Sequence, residues 1–260
     1  MRLSVQTHLL YEVSQPCDLL LQIEAMPDAE QACHSAHVRF DSQSIHKEIA
    51  GENGIGKRRW IKAGPLFECR YEATFDVERE IPAWESLAQT AWMQIPADVI
   101  KYLKPSRYCH SDQFLEFVSN QFPDQSGGGL VLAMNNWINQ NFTYDNSHSD
   151  VGTTATDSFV SLRGVCRDYA HVLIAFARAA GIPARFVSVY APHVEPQDFH
   201  AVVEVYLDGY WHLIDPTGMA NAAQMIRICV GRDAADASFL TSYGWMELKK
   251  QTVLVTELVE

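Results

Sequence analysis

The sequence contains no Cys-x-x-Cys pair, no block of Lys or Arg, and no apolar run near the ~18 residues that span a bilayer. Each absence excludes something. The six cysteines (Cys17, Cys33, Cys69, Cys109, Cys166 and Cys229) are scattered, which argues against a zinc cluster and against a disulfide framework, so free thiols are expected. The formal charge is −12, from 32 acidic and 20 basic side chains. A chain with that balance and no basic stripe lacks the electrostatic footprint of a nucleic-acid binder and is repelled by an anionic membrane surface. The stretch "MRLSVQTHLLYEVSQP" alternates apolar and polar residues where a secretory segment would carry a hydrophobic core, so a cytoplasmic location is expected. The triple glycine of "PDQSGGG" is not followed by Gly-Lys-Ser/Thr, and reads as a flexible loop running into a helix start.

What is present is a chain of 260 residues, 47% apolar and 20% charged, enough for one large packed domain or two modest ones. The first 80 residues read as strands. Leu3, Val5, Thr7, Leu9 and Tyr11 alternate with polar residues, and Phe67, Cys69, Tyr71, Ala73, Phe75 and Val77 do so again, the period of two that buries one face of a sheet. "DLLLQIEA" and "AHVRFDS" add strands and "GENGIGKRR" adds a Gly-rich turn. A connector broken by Pro82, Pro96 and Pro105 follows, placing a boundary near residues 80–105. Helical patterns come next in "DQFLEFVSNQF" and "LVLAMNNWINQNF", where Met134 and Trp137 are read as core. A further helix starts near Cys166 and stops at Gly181-Ile182-Pro183. "ARFVSVYA", "FHAVVEVYL", "YWHLIDPT", "QMIRICVG" and "KKQTVLVTELV" then read as strands. Helices followed by antiparallel strands make an α+β pattern. The expected division is an N-terminal β-sandwich over 1–85 and a second domain over 86–260, whose last strands can return to the first module.

Two stretches carry chemistry. "GVCRDYAH" puts Cys166 at the mouth of an apolar helix, where a helix N-terminus and a nearby imidazolium can pull a thiol from ~8.5 to well below 7. "DFHAVVEVYLDGYWHLIDPT" reads as a hairpin turning at Asp208-Gly209. With those two residues as the loop, Leu207 faces Tyr210, Asp215 faces Val202, and His200 becomes a diagonal neighbour of Asp215 on one face, ~7–8 Å away at the backbone. The other face carries Ala201, Val203, Val205 and Leu207. A cysteine, a strand histidine and a carboxylate on the next strand are the parts of a thiol nucleophile, its base and the orienter of that base. A lone Cys is more often inert core, and a lone strand His more often sits at the surface. Their joint occurrence in this order is what weighs against those readings.

"GVCRDYAH", "ARAAGIPAR", "FHAVVEVY" and "WHLIDPT" together resemble the bacterial transglutaminase-like family of candidate cysteine proteases. "TTATDSF", "YLKPSRYC" and "VGRDAADASFLTSYG" resemble its flanking segments, and the β-rich start resembles its N-terminal region, so the likeness covers most of the chain. The resemblance implies a papain/transglutaminase-like core, with helices packed on an antiparallel sheet, and a triad of Cys166, His200 and Asp215. It implies thiol-dependent acyl transfer on an amide or peptide bond through a Cys166 thioester. Water as acceptor makes a peptidase or amidase, an amine a transglutaminase, and neither metal nor organic cofactor is needed. Val202 stands where relatives carry an aromatic residue, so the wall beside the histidine differs. The Cys166 N–H is the first candidate oxyanion donor, and a side chain on the loop around Phe142–Tyr144 the second.

Asp168 and Arg167 in the first helical turn read as a dipole-stabilising ion pair, and His171 points away from Cys166 by helical geometry. Arg232, Asp233 and Asp236 are read as structural ion-pair residues before cleft residues, and Glu204 is a candidate for lining the cleft. Two rivals stay open at this point: a catalytically idle binding or assembly module keeping the fold, and a metalloenzyme using Cys166, His200 and another His. No His-x-x-x-His spacing supports the second.

Overall fold

The computed structural model describes residues 1–41 and 45–258. Strands β1 (Arg2–Val13), β2 (Cys17–Glu24), β3 (Gln31–Phe40), β4 (Ile45–Ala50), β5 (Lys57–Ala63) and β6 (Leu66–Val77) form the first module. Leu3, Val5, Thr7, Leu9, Tyr11 and Val13 are buried along β1, and all six alternating residues from Phe67 to Val77 are buried along β6. The period of two therefore faces one core, as the alternation requires. Beyond the connector come α1 (Leu115–Gln121), α2 (Gly127–Asn141), β7 (Thr143–Tyr144), α3 (Ala155–Ser161), β8 (Arg163–Gly164) and α4 (Cys166–Ala179). The strands β9 (Ala184–Tyr190), β10 (His200–Leu207), β11 (Tyr210–Ile214), β12 (Ile226–Gly231), β13 (Leu240–Ser242) and β14 (Met246–Leu258) complete the chain.

Among the described residues three four-stranded sheets result, in the orders β14-β1-β6-β3, β13-β2-β5-β4 and β11-β10-β9-β12. The fold is α+β, with antiparallel pairing throughout these sheets. The two N-terminal sheets each borrow an outer strand, β14 and β13, from the far end of the sequence. Tyr190 joins the modules: its hydroxyl donates to Ile23 O at 2.8 Å and accepts from Thr7 Oγ1 at 3.2 Å, while its ring stacks on Tyr71. Among the described residues no helix is long and apolar enough to cross a membrane.

Helix α4 is the central element, buried from Asp168 through Arg178 on every side. One side lies on β10 and β9 and the other meets α1, α2 and α3. There Phe176 closes an aromatic cluster with Phe114, Phe117, Trp137 and Phe159, each ring centroid within 5.1–5.9 Å of its own. Contacts of this kind add roughly 0.5–1.5 kcal/mol per pair beyond burial. One sequence expectation needs correction, and two features add to it. The glycines of "SGGG" are the first turn of α2 and not a loop: a Cβ on Gly128 would lie 1.9 Å from Trp84 O, and one on Gly127 2.2 Å from Leu87 O, so the connector packs directly on helix backbone. A separate helix, α3, precedes Cys166, started by a Thr154–Asp157 capping box. Finally, β10 is buried on both faces, because α4 covers one, and the loop after β11 (Met219–Met225) and the connector at Ile95, Val99 and Leu103 cover the other.

Candidate active site

Cys166 opens α4 and is partly exposed. Its position is set from below by Asp168, whose Oδ2 accepts the Val165 N–H at 2.9 Å and satisfies one of the free donors at the helix start. Gly164 permits that approach, since a Cβ there would fall 2.6 Å from Asp168 Oδ2. Arg167 lies against Asp168 Oδ1 at 3.3 Å and donates to Ser149 Oγ at 2.8 Å, so the Arg167–Asp168 pair braces the loop before the helix.

The hairpin register follows the turn. Leu207 pairs with Tyr210 and Val203 with Ile214, with Asp208 and Gly209 both at positive φ (49° and 83°), the conformation a two-residue primed turn needs. His200 and Asp215 then meet on one face: His200 Nε2 donates to Asp215 Oδ2 at 2.9 Å. Asp215 is held in turn. Its Oδ1 accepts from Thr217 N and Thr217 Oγ1, both at 2.8 Å, and its Oδ2 accepts from Ala220 N at 2.9 Å. Burial pushes the Asp215 carboxyl up, but the His200 bond and the Thr217 donors outweigh it and hold the group below the usual carboxylate range.

With Nε2–H given to Asp215, the neutral His200 ring presents the Nδ1 lone pair. Nδ1 is buried and makes no hydrogen bond of its own, and the ring faces Cys166. Burial opposes charge on His200, yet the Asp215 bond and the neighbouring Cys166 sulfur outweigh it and raise it to about 10. An imidazolium is therefore favoured beside the sulfur. Behind Cys166, the Tyr144 hydroxyl faces both the Cys166 sulfur and its backbone N–H, and burial followed by the charge of Cys166 pushes that phenol up. Cys69, Cys109 and Cys229 are also pushed up, each chiefly by burial, the last two to about 12.

Cys166 and His200 open on a cleft of about 590 Å³. Its walls come from both modules: Phe186, Ser188, Phe199 and Ala234 from the second, and Leu240–Ser242 and Gln251 from the strands that return to the first. Phe199 and Phe239 stack at 4.5 Å with 12° between ring planes, forming an apolar wall beside His200. Arg107 and Arg167 line the cleft, and Asp198, fixed by Gln251 Nε2 at 2.7 Å, lines it too.

Glu204 does not line the cleft as expected. It is fully buried, bonded to Arg185 Nε at 2.6 Å and Arg227 Nη1 at 2.8 Å, because the β9 register sets Arg185 directly opposite it. Arg232 and Asp236 pair at 2.8 Å, and Asp233 accepts the Tyr108 N–H at 2.9 Å, so all three hold loops. His171 accepts the Ala234 N–H and stacks on Tyr108. Burial, with Arg167 and Arg178 nearby, keeps it neutral. Among the described residues no group of three or more His, Cys, Asp or Glu side chains is arranged to hold a metal ion. Sequence reasoning passed over Thr217 and the Phe199–Phe239 wall. The spacing Asp-x-Thr is itself a signal, since Asx-turn acceptors bond two residues ahead.

Residues 116–216 match the model of the transglutaminase-like superfamily. The chain superposes on a candidate cysteine protease of Cytophaga hutchinsonii with a TM-score of 0.94 at 29% identity, covering 100% of this chain and 91% of that one. It is 31% identical over 118 residues to the uncharacterized protein ML0607 of Mycobacterium leprae, 42% of each chain. An uncharacterized Haemophilus influenzae protein is 25% identical over 240 residues, 86% of this chain and 61% of that protein. The chain thus spans about half the length of the curated relatives it matches.

Proposed function

We propose that this chain, whose residues 116–216 belong to the transglutaminase-like superfamily, performs acyl transfer on amide or peptide bonds through a Cys166 thioester. The observation that carries the reading is the state of His200: Nε2 is committed to a buttressed carboxylate, while the buried Nδ1 is left without a partner on the side facing Cys166. A buried nitrogen without a bond is costly unless it has work to do.

In the proposed cycle His200 Nδ1 takes the proton of the Cys166 thiol. The thiolate adds to the substrate carbonyl, and its π electrons move to oxygen. Collapse breaks the C–N bond, the departing nitrogen takes the proton from Nδ1, and the acyl group stays on sulfur. The second half runs in reverse, with water or an amine losing its proton to His200, attacking the thioester and releasing Cys166. Asp215 fixes the ring tautomer and stabilises the imidazolium without taking the proton. The open cleft, with backbone edges at β13 and an aromatic wall at Phe199–Phe239, fits an extended peptide segment.

The test compares wild-type and Cys166→Ala protein against pooled peptide and amide substrates, with and without an added primary amine, while circular dichroism monitors the fold. Loss of all amide turnover in a folded Cys166→Ala protein is expected. Retained turnover would rule out covalent cysteine catalysis, and no turnover by wild-type protein would favour the catalytically idle module.

A further inference from the structure

The strand pair β7–β8 is only two residues long on each side, yet it lies directly before Cys166 and fixes the geometry there. Tyr144 pairs with Gly164, two residues ahead of the cysteine. The pairing is clamped on both sides: Thr143 N donates to Leu162 O and Asp145 N to Gly164 O, each at 2.9 Å. The Tyr144 ring packs 5.9 Å from that of Tyr169, one helical turn along α4 from Cys166. This leaves the half-buried hydroxyl facing the Cys166 N–H and sulfur together. As the first residue of α4, Cys166 has an N–H with no acceptor inside the helix.

Attack at a carbonyl creates negative charge on oxygen, and a single amide is half of the usual pair of donors that meets it. Resting on the thioester reading above, we infer that Tyr144 is the second oxyanion donor, its phenolic O–H converging with the Cys166 N–H on the oxygen of the tetrahedral intermediate. A phenol can serve only while it keeps its proton, and burial together with the neighbouring sulfur raises Tyr144 above its ordinary value, so it stays a donor across neutral pH. Tyr144 transfers no proton in this role. The proton cycle remains with His200, and the oxyanion collapses back to a carbonyl when the C–N bond breaks.

The experiment pits two reactions of one sulfur against each other in Tyr144→Phe protein. Acylation by p-nitrophenyl acetate passes through an oxyanion. Alkylation by iodoacetamide displaces iodide at a saturated carbon and forms none. Tyr144→Phe is expected to slow acylation about 10²–10³-fold through kcat while leaving KM, the alkylation rate and the melting curve unchanged. Tyr144→Gln, which restores an N–H donor, is expected to recover part of the loss. Equal acylation rates in wild type and Tyr144→Phe would overturn the inference. So would a parallel fall in acylation and alkylation, which would mean that Tyr144 tunes the thiol. Wild-type protein that alkylates at Cys166 but never acylates there would instead sink the thioester reading itself.

Discussion

Asp215→Asn changes one atom in the carboxylate and should change which nitrogen of His200 carries the proton. The Oδ1 side of Asp215 receives two donors, Thr217 N and Thr217 Oγ1, both at 2.8 Å. An asparagine therefore keeps its oxygen there, because the reverse orientation sets an NH2 against two donors. Its NH2 then faces Ala220 N and His200 Nε2, each 2.9 Å from the replaced oxygen. His200 must accept at Nε2 and carry its proton on Nδ1, which can no longer take one from Cys166. Wrong-tautomer variants of catalytic triads lose about 10⁴ in rate, and a loss of about 10³–10⁴ is expected here near neutral pH. The orphaned Ala220 N–H should add a stability cost of about 1–3 kcal/mol. Iodoacetamide labelling of Cys166 across pH needs no substrate and reads the same change. Removing the carboxylate weakens the imidazolium beside the sulfur, so labelling near neutral pH should slow. A folded Asp215→Asn protein with wild-type turnover and a wild-type labelling rate would refute the tautomer argument.

Three further outcomes are expected. At pH 6, peptide mapping after limited iodoacetamide treatment should find Cys166 labelled ahead of the other five thiols, and His200→Ala should slow that labelling; equal labelling of Cys17 and Cys166 in native protein would contradict the activated-thiolate reading. Glu204→Gln should leave Arg185 buried without its carboxylate, while Arg227 keeps Asp28 and Glu30, and should cost about 3–5 kcal/mol by urea unfolding, with little change in active-site geometry. Glu204 is buried, which raises it, but the two arginines bring it down to about 2. Because its folded value lies below the unfolded one near 4.3, its stabilisation is present above about pH 4.3 and is lost as pH falls toward 2, so the gap between wild type and Glu204→Gln should close on acidification. Gly164→Ala should disturb the start of α4 by driving a methyl into Asp168, lowering both melting temperature and Cys166 labelling; a fully active, stable variant would show the close approach to be dispensable.

The parts of this fold that were legible in the sequence are those where local chemistry and the final structure agree. Asp208-Gly209 dictates a primed turn, and the period of two then fixes which residues of β10 and β11 share a face, so His200 and Asp215 could be paired before any coordinates. The helix at Cys166 announced its end at Gly181, which takes φ 74°. What stayed hidden depends on distant partners. The glycines opening α2 look like a loop until Trp84 and Leu87 press their carbonyls onto them. Helix α3 is too short for periodicity to reveal, although Thr154 and Asp157 carry its capping signal. Glu204 looked like a cleft residue because it shares a face with His200. Only the pairing with β9 brings Arg185 opposite it and turns a candidate ligand into a buried counter-ion. Tyr144 was visible only as part of a loop, since its position depends on a two-residue parallel pairing that no local pattern encodes.

The central claim is a covalent acyl-enzyme on one sulfur. Its most direct measurement is acid-quenched intact-protein mass spectrometry during turnover of an amide or activated ester, followed by peptide mapping of the adduct. A single acyl mass increment is expected on the peptide containing Cys166, discharged by hydroxylamine and absent from both Cys166→Ala and His200→Ala protein. Turnover without any adduct on Cys166, or an adduct that forms equally well without His200, would contradict it.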